Sequence, residues 1–249
     1  MTDTIDDFAL DPSRIASATE AINAALASAK APPPDTTYEA GDLPSASTLG
    51  ELLEQYDYGE PLWNGSLMLV AKHCAIAEPT TVEVSALDEL PAVESEYISH
   101  FHHGDVVVPA DFGAFDSVWI TGSLTVEGVI EASFLDTFQD LMVGGDVRCR
   151  AISMMGLSFI AGELAAERFA WVQSQGENWV LGGVSGGWLI GEYESTEGWD
   201  VGAAKGAIDL QEAADDKAAL AEKLGVTLEP DDEHAHDVVF RALEAAGAG

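Results

Sequence analysis

The sequence predicts a mainly β protein: a short β-helix, or solenoid, of stacked rungs about 20 residues long, flanked by N- and C-terminal capping helices. Three observations carry this. An apolar-x-Gly-x-apolar phrase returns four times between 118 and 192. No helical periodicity separates the copies. Helix signals gather instead near the two ends of the chain. The expected division is a helical segment over 1–60, a β-helix domain over 61–200 with clear repeats over 118–192, and a helical cap over 201–249.

The first helix begins where Asp11 can cap and Pro12 suits the first helical position. Ile15, Ala18, Ile22, Ala25, Leu26 and Ala29 follow at helical spacing, and Ala31-Pro32-Pro33-Pro34 ends the run. Thr48-Leu49-Gly50-Glu51 reads as a capping box for a short second helix with Leu49, Leu52, Leu53 and Tyr56 on one face. Strands are expected at Leu67–Ala71, Thr80–Val84 and His103–Pro109.

The repeats follow. The phrases are Ile120-Thr121-Gly122-Ser123-Leu124, Val143-Gly144-Gly145-Asp146-Val147, Ile160-Ala161-Gly162-Glu163-Leu164 and Val180-Leu181-Gly182-Gly183-Val184. Their glycines are 23, 17 and 20 residues apart. Units of this length cannot bury an apolar face alone, so they stack. Ile120, Leu124, Val143, Val147, Ile160 and Leu164 are expected to point inward. Val129, Ile152, Phe169 and Leu189, seven residues beyond each glycine, are expected to share one further column. Glycine is expected to turn the corner. A β-sandwich with chance regularity is the rival. Beyond the repeats, Leu210–Leu224 should be helical and stop at Gly225, and a last helix should cover about Ala235–Ala246.

The 249 residues carry 10 Lys and Arg against 44 Asp and Glu, a net charge of −34. That excludes the basic footprint of a nucleic-acid binder and disfavours anionic membranes. It attracts cations or basic partners, although salt adaptation of the host's proteins would also produce it. No run of 18 apolar residues occurs, and the acidic start, Met1–Asp7, has no secretory pattern. A cytoplasmic location is therefore expected. Cys74 and Cys149 form no metal or redox motif and read as buried thiols.

Candidate chemistry is sparse. His100 and His102 would share one face of a strand, with His103 and Asp105 nearby, as ligands of one ion would. The plainer reading is a polar edge whose histidines are satisfied locally. The paired glycines lack phosphate-loop spacing, and no triad can be assembled. No catalytic residue, metal site or cofactor is assigned. Trp171, Trp179, Trp188 and Trp199 crowd the end of the repeats, as an interface or as core. Residues 191–249 hold 15 acids against 4 bases, whereas 113–190 hold 9 against 3. Asp231, Asp232, Glu233 and Asp237 in this acidic stretch are the candidate partner-binding residues, although acids at a helix start are also favoured by the helix dipole.

The repeated text of Ile120–Val126 and Val143–Cys149, with Asp231-Asp232-Glu233 ahead of Val238–Leu243, resembles acidic bacterial β-helix proteins of the immunity-like group associated with polymorphic toxins. More distantly it resembles the bactofilins, which polymerise through a β-helix. The resemblance covers roughly 118–245 and implies no catalytic residues. It implies an immunity protein that binds and occludes a toxin domain; the net charge points to a basic one, and charge repulsion with the helical caps points to a monomer or small oligomer. The alternatives are a bactofilin-like scaffold, and a metal-dependent enzyme using His100–His103.

Overall fold

The structure, a computed structural model, describes residues 5, 7–30, 36–57, 59–86, 89–96, 98–113, 117–132, 140–154, 156–172, 178–192, 199–230 and 232–247. A 3-10 turn, Pro12–Arg14, leads into α1 (Ile15–Ala27), with the Asp11 carboxylate accepting from the Ser13 N–H. The proline run that should end this helix lies outside the described residues. Helix α2 (Leu49–Leu53) starts at Thr48, whose hydroxyl accepts from the Glu51 N–H. The Glu51 carboxylate reaches back one residue further than a standard capping box, to the Ser47 N–H at 2.7 Å.

Residues 67–71 are not a strand. They belong to α3 (Pro61–Cys74), which opens on Pro61 at its first turn. The run Leu67–Ala71 is buried at every position. A continuous apolar stretch of that length fits a buried helix as well as a strand; the proline at N1 settles it as a helix. The helical part of the chain therefore extends past residue 60, to Cys74.

Strands β1 (Thr80–Glu83), β2 (His100–His102), β3 (Gly104–Val108) and β4 (Phe112–Gly113) begin the solenoid. They are followed by β5 (Val118–Ile120), β6 (Leu124–Val126), β7 (Val129–Ala132), β8 (Leu141–Val143) and β9 (Val147–Met154). The series closes with β10 (Ser158–Ile160), β11 (Leu164–Val172), β12 (Asn178–Val180), β13 (Val184–Gly191) and β14 (Gly206–Asp209). All pairings between these strands are parallel. There are about five turns, each with three segments. The first segments form one sheet, β12-β10-β8-β5-β2. The second and third form the other sheet, and they fuse into single long strands from β9 onward.

The four repeat phrases align in register. Ile120, Val143, Ile160 and Val180 form one column, and Leu124, Val147, Leu164 and Val184 another. The six residues expected inward are all fully buried in the solenoid interior. The stack also starts a turn earlier than the repeat text suggests, because His102 pairs with Ile120 and Val106 with Leu124.

Two details differ from expectation. The column seven residues past the glycine is not uniform. Val129, Ala151, Phe169 and Trp188 face outward, while Ile130, Ile152, Ala170 and Leu189 face the interior. A register shift between Ala166 and Phe169 moves β11 by one residue, which in a strand exchanges faces. The glycines at the corner, moreover, are required by proximity rather than by backbone handedness. A Cβ on Gly122, Gly145, Gly162 or Gly182 would lie 2.4, 2.9, 2.6 and 2.5 Å from the carbonyl carbon of the glycine one turn below. Gly104 begins this stack, and Thr80 backbone lies beneath it.

The C-terminal helices are α4 (Leu210–Ala213), α5 (Lys217–Leu224) and α6 (Ala235–Gly247), with a 3-10 turn, Ala214–Asp216, between the first two. Gly225 ends α5 in the left-handed conformation at φ 72°.

Candidate functional site

The helices lie along the solenoid's flanks. On the first face, the outward residues Phe101, Trp119, Met142 and Phe159 are fully buried beneath the α1–α3 layer. On the third, Ala151, Phe169, Trp171 and Ile190 are fully buried beneath α4–α6. At the ends, Val82, Val84 and Leu90 pack on the interior column at one side, and Trp199 and Val201 at the other.

The second face has no such cover among the described residues. Its outward column runs Glu83, Val107, Thr125, Arg148, Ala165, Ser185, and none of these is buried. Asp105, Ser123, Asp146 and Glu163 form the corner beside it, and Glu127 and Glu167 are exposed on the other margin. The corner is held by its own side chains. The Asp105 carboxylate accepts from the Ser123 N–H at 2.7 Å, the Ser123 hydroxyl from the Asp146 N–H at 3.2 Å, and the Asp146 carboxylate from the Glu163 N–H at 3.0 Å. From β1 to β13 the face is six strands wide, roughly 24 Å. Its outward side chains are short except for Glu83 at the edge and Arg148, so it is flat and preorganised. Across the column and its two margins, six carboxylates (Glu83, Asp105, Glu127, Asp146, Glu163, Glu167) stand against that one arginine.

Two clefts flank β1. The outer one, about 520 Å³, is lined by residues including Lys72, Glu78, Thr81, His103 and Asp105. Lys72 reaches from α3 to donate to the Gly144 carbonyl at 2.5 Å. Burial holds its ammonium below the usual lysine range, and Asp105 and Asp146 partly offset this. The inner cleft, about 560 Å³, is largely apolar, with Ile5, Phe8, Val82, Val84, Leu90 and Pro91 on its walls, and Glu83 and Glu89 line it too.

The histidines divide between these environments. His100 and His102 do share a strand face, and that face is the solenoid interior at its first turn. His102 takes the place that Ile120 holds one turn on, and its Nε2 lies 3.0 Å from the Thr80 carbonyl oxygen. His100 Nδ1 lies 3.2 Å from the Leu90 carbonyl oxygen. His103 turns to the corner, its Nδ1 2.9 Å from the Thr121 hydroxyl and its ring against Phe8. Burial lowers its pKa. No group of three metal-ligating side chains forms among the described residues. Cys74 and Cys149 are buried free thiols, and burial raises the pKa of each.

Of the four C-terminal candidates, the three described ones differ in their surroundings. Asp231 lies outside the described residues. Asp232 is internal: its side chain is 1% exposed, paired with Arg241, and it accepts from the Glu229 N–H at 2.7 Å. That N–H, ahead of Arg241, holds the carboxyl below its usual range. Asp232 is thus a fastener of α6 and is unavailable to a partner. Asp237 caps the helix start by accepting from the His234 N–H, and Glu233 is exposed. The tryptophans are distributed in the same way. Trp171 donates to Glu192 and Trp188 to the Lys223 carbonyl beneath the C-terminal helices, Trp179 sits on the α1–α3 side, and Trp199 sits at the solenoid end.

No family model, curated protein or solved structure matches this chain. The uncovered face went unread in the sequence, because which positions point outward is known only once the strands are in register. A signal was present: Phe, Trp and Met recur on the first face, whereas Val, Thr, Arg, Ala and Ser recur on the second.

Proposed function

We propose that the protein works by binding a basic protein partner on the uncovered second face, without turnover. The observation that supports this is the contrast between faces. Two are sealed by helices, and the one left bare is flat, rigid and rimmed by Asp105, Glu127, Asp146, Glu163 and Glu167. A rigid face loses little freedom on binding, and a net charge of −34 speeds encounter with a cationic surface. In its specific form the reading is an immunity protein that occludes a bacterial toxin domain in the cytoplasm. The acidic ending before α6 and the repeat text support that form. Glu233 and Asp237 are secondary contacts.

The test is co-expression with a toxin domain encoded beside the gene, read as rescue of growth and as association rate. Among the described residues no side-chain hydrogen bond or ion pair of Glu127, Glu163 or Glu167 holds the fold, so their reversal to Lys should leave the melting temperature close to wild type. The triple variant should associate roughly tenfold more slowly at low salt, with the difference shrinking as salt screens the face. Unchanged rescue and on-rate would remove the face from the proposal. Turnover of a small molecule by the purified protein would remove the binding reading.

A further inference from the structure

We propose that β1 is an acceptor strand, which takes an extended segment of alternating apolar and basic residues as one further rung of the solenoid. This rests on the reading of a basic partner and specifies how that partner is held.

Among the described residues β1 is the last strand of its sheet, paired on one side only, with β3. The Thr80 and Val84 N–H groups donate inward, to the His103 and Val107 carbonyls. By the alternation of a parallel ladder, the Thr81 and Glu83 amides face the open side. Residues 76–81 and Glu83 are exposed, and Ile76 is 58% exposed, a rare state for an isoleucine in this chain. A bare parallel edge offers main-chain hydrogen bonds to any extended segment, and side-chain pockets then select among segments.

The two clefts supply that selection: they meet at Ala77, Glu78, Thr80 and His103, and the outer one takes in Thr81 and the inner one Val82, neighbours whose side chains alternate across a strand. Side chains above Val82 would enter the apolar inner cleft, between Phe8 and Leu90. Side chains in the alternate register would lie over Thr81 and toward Glu78 and Asp105 in the outer cleft, while Glu83 and Glu89 stand at the inner one. Occupation by a second copy is disfavoured by charge. Glu78, Glu83 and Glu89 would meet their own images, on chains of −34 each. The same three glutamates favour lysine or arginine, and charge set beside Phe8, Val82 and Leu90 fixes the chemistry of the occupant as apolar and basic together.

The experiment uses the full chain and a labelled, end-capped seven-residue peptide of alternating Lys and Val, with fluorescence anisotropy and amide exchange as readouts. Saturable binding is expected, with slowed exchange at Thr81 and Glu83. Thr81→Pro removes one outward N–H while leaving the bonds to β3 intact, and should weaken binding at least tenfold with the melting temperature preserved. Glu83→Lys, which changes no backbone, should weaken it as well. A peptide with Glu in place of Lys should not bind. Absence of binding at millimolar peptide, or equal binding by Thr81→Pro, overturns the proposal. So does a shift in the sedimentation of the protein alone on Thr81→Pro, which would make the occupant a second copy. A whole partner that binds Thr81→Pro normally, yet is weakened by reversal of Glu127, Glu163 and Glu167, would sink the acceptor strand and leave the reading of a basic partner standing.

Discussion

Gly65 of α3 lies against the ring of Phe159, so closely that a Cβ at this glycine would sit 2.1 Å from the ring's Cγ. The helix is thereby able to lie directly on the first face of the solenoid, over Trp119, Met142 and Phe159. A mid-helix glycine costs about 1 kcal/mol relative to alanine, and this contact explains its presence. Gly65→Ala should therefore destabilise. The gain in helix propensity is about 1 kcal/mol, while overpacking against an aromatic ring costs roughly 1–3 kcal/mol or more. Thermal unfolding should show a lower midpoint, and Phe159→Leu in the same chain should recover part of it, as coupled neighbours do. A midpoint raised by Gly65→Ala would show that the helix can shift off the ring.

The stacked corner glycines make a sharper prediction. At Gly182 an added Cβ meets only backbone, 2.5 Å from the Gly162 carbonyl carbon and 2.6 Å from the Glu163 nitrogen. Neither can rotate away, so Gly182→Ala must separate two turns or break their pairing. A loss well above 2 kcal/mol is expected. Gly41 is the comparison, with φ 101° and nothing within 4 Å of an added Cβ. There only the left-handed conformation opposes alanine, at about 1 kcal/mol. Urea midpoints of the two variants should differ in that order, and equal losses would mean the glycines serve backbone conformation after all.

The solenoid was legible because its interior column is written at fixed offsets from a close-packed glycine, as in Ile120-x-Gly122-x-Leu124. Its first turn was obscured because His102 stands where the other turns carry Ile or Val. Leu67–Ala71 misled because a helix buried on all sides loses its periodicity, and only Pro61 marks it. The candidate face was not legible. Whether Thr125 or Phe159 is covered depends on where distant helices pack, and its one local trace, the type of outward residue, can be read only once the register is known. Asp232 was misassigned because a run of acids reads as solvated, while pairing with Arg241 nine residues later draws one member inside.

That pairing is testable by its pH dependence. The Asp232 carboxyl is held below its usual range, by the Glu229 N–H first and then by Arg241. A depressed folded pKa gives stability that is present above the unfolded value and lost as pH falls through the folded one. Asp232→Asn should lower the melting temperature at pH 7, and the gap from wild type should narrow toward pH 2. Glu233→Gln, one residue on and exposed, should show no gap at either pH. A binding role with no structural one would reverse the two results.

Asp140 should behave in the opposite sense. It lies just before β8 and is 2% exposed, with its N–H donating to the Ser117 hydroxyl at 3.1 Å. Burial pushes its carboxyl up to about 7, and a hydrogen bond from the Leu157 backbone offsets this only in part. The folded pKa is raised above the unfolded value, so the neutral acid is the form that the fold accommodates. Its contribution is complete below about pH 4 and is lost as pH rises through 7, with a span of up to about 4 kcal/mol. The remaining carboxylates repel one another more strongly over the same interval, so the wild-type curve alone cannot isolate Asp140. Comparison with Asp140→Asn can, since asparagine keeps the size of the side chain and cannot ionise. The variant should match or fall slightly below wild type at pH 4.5 and exceed it at pH 7.5, with the crossing between them. Parallel curves across that range would show that the Asp140 carboxylate is solvated when charged, and that this corner opens to water.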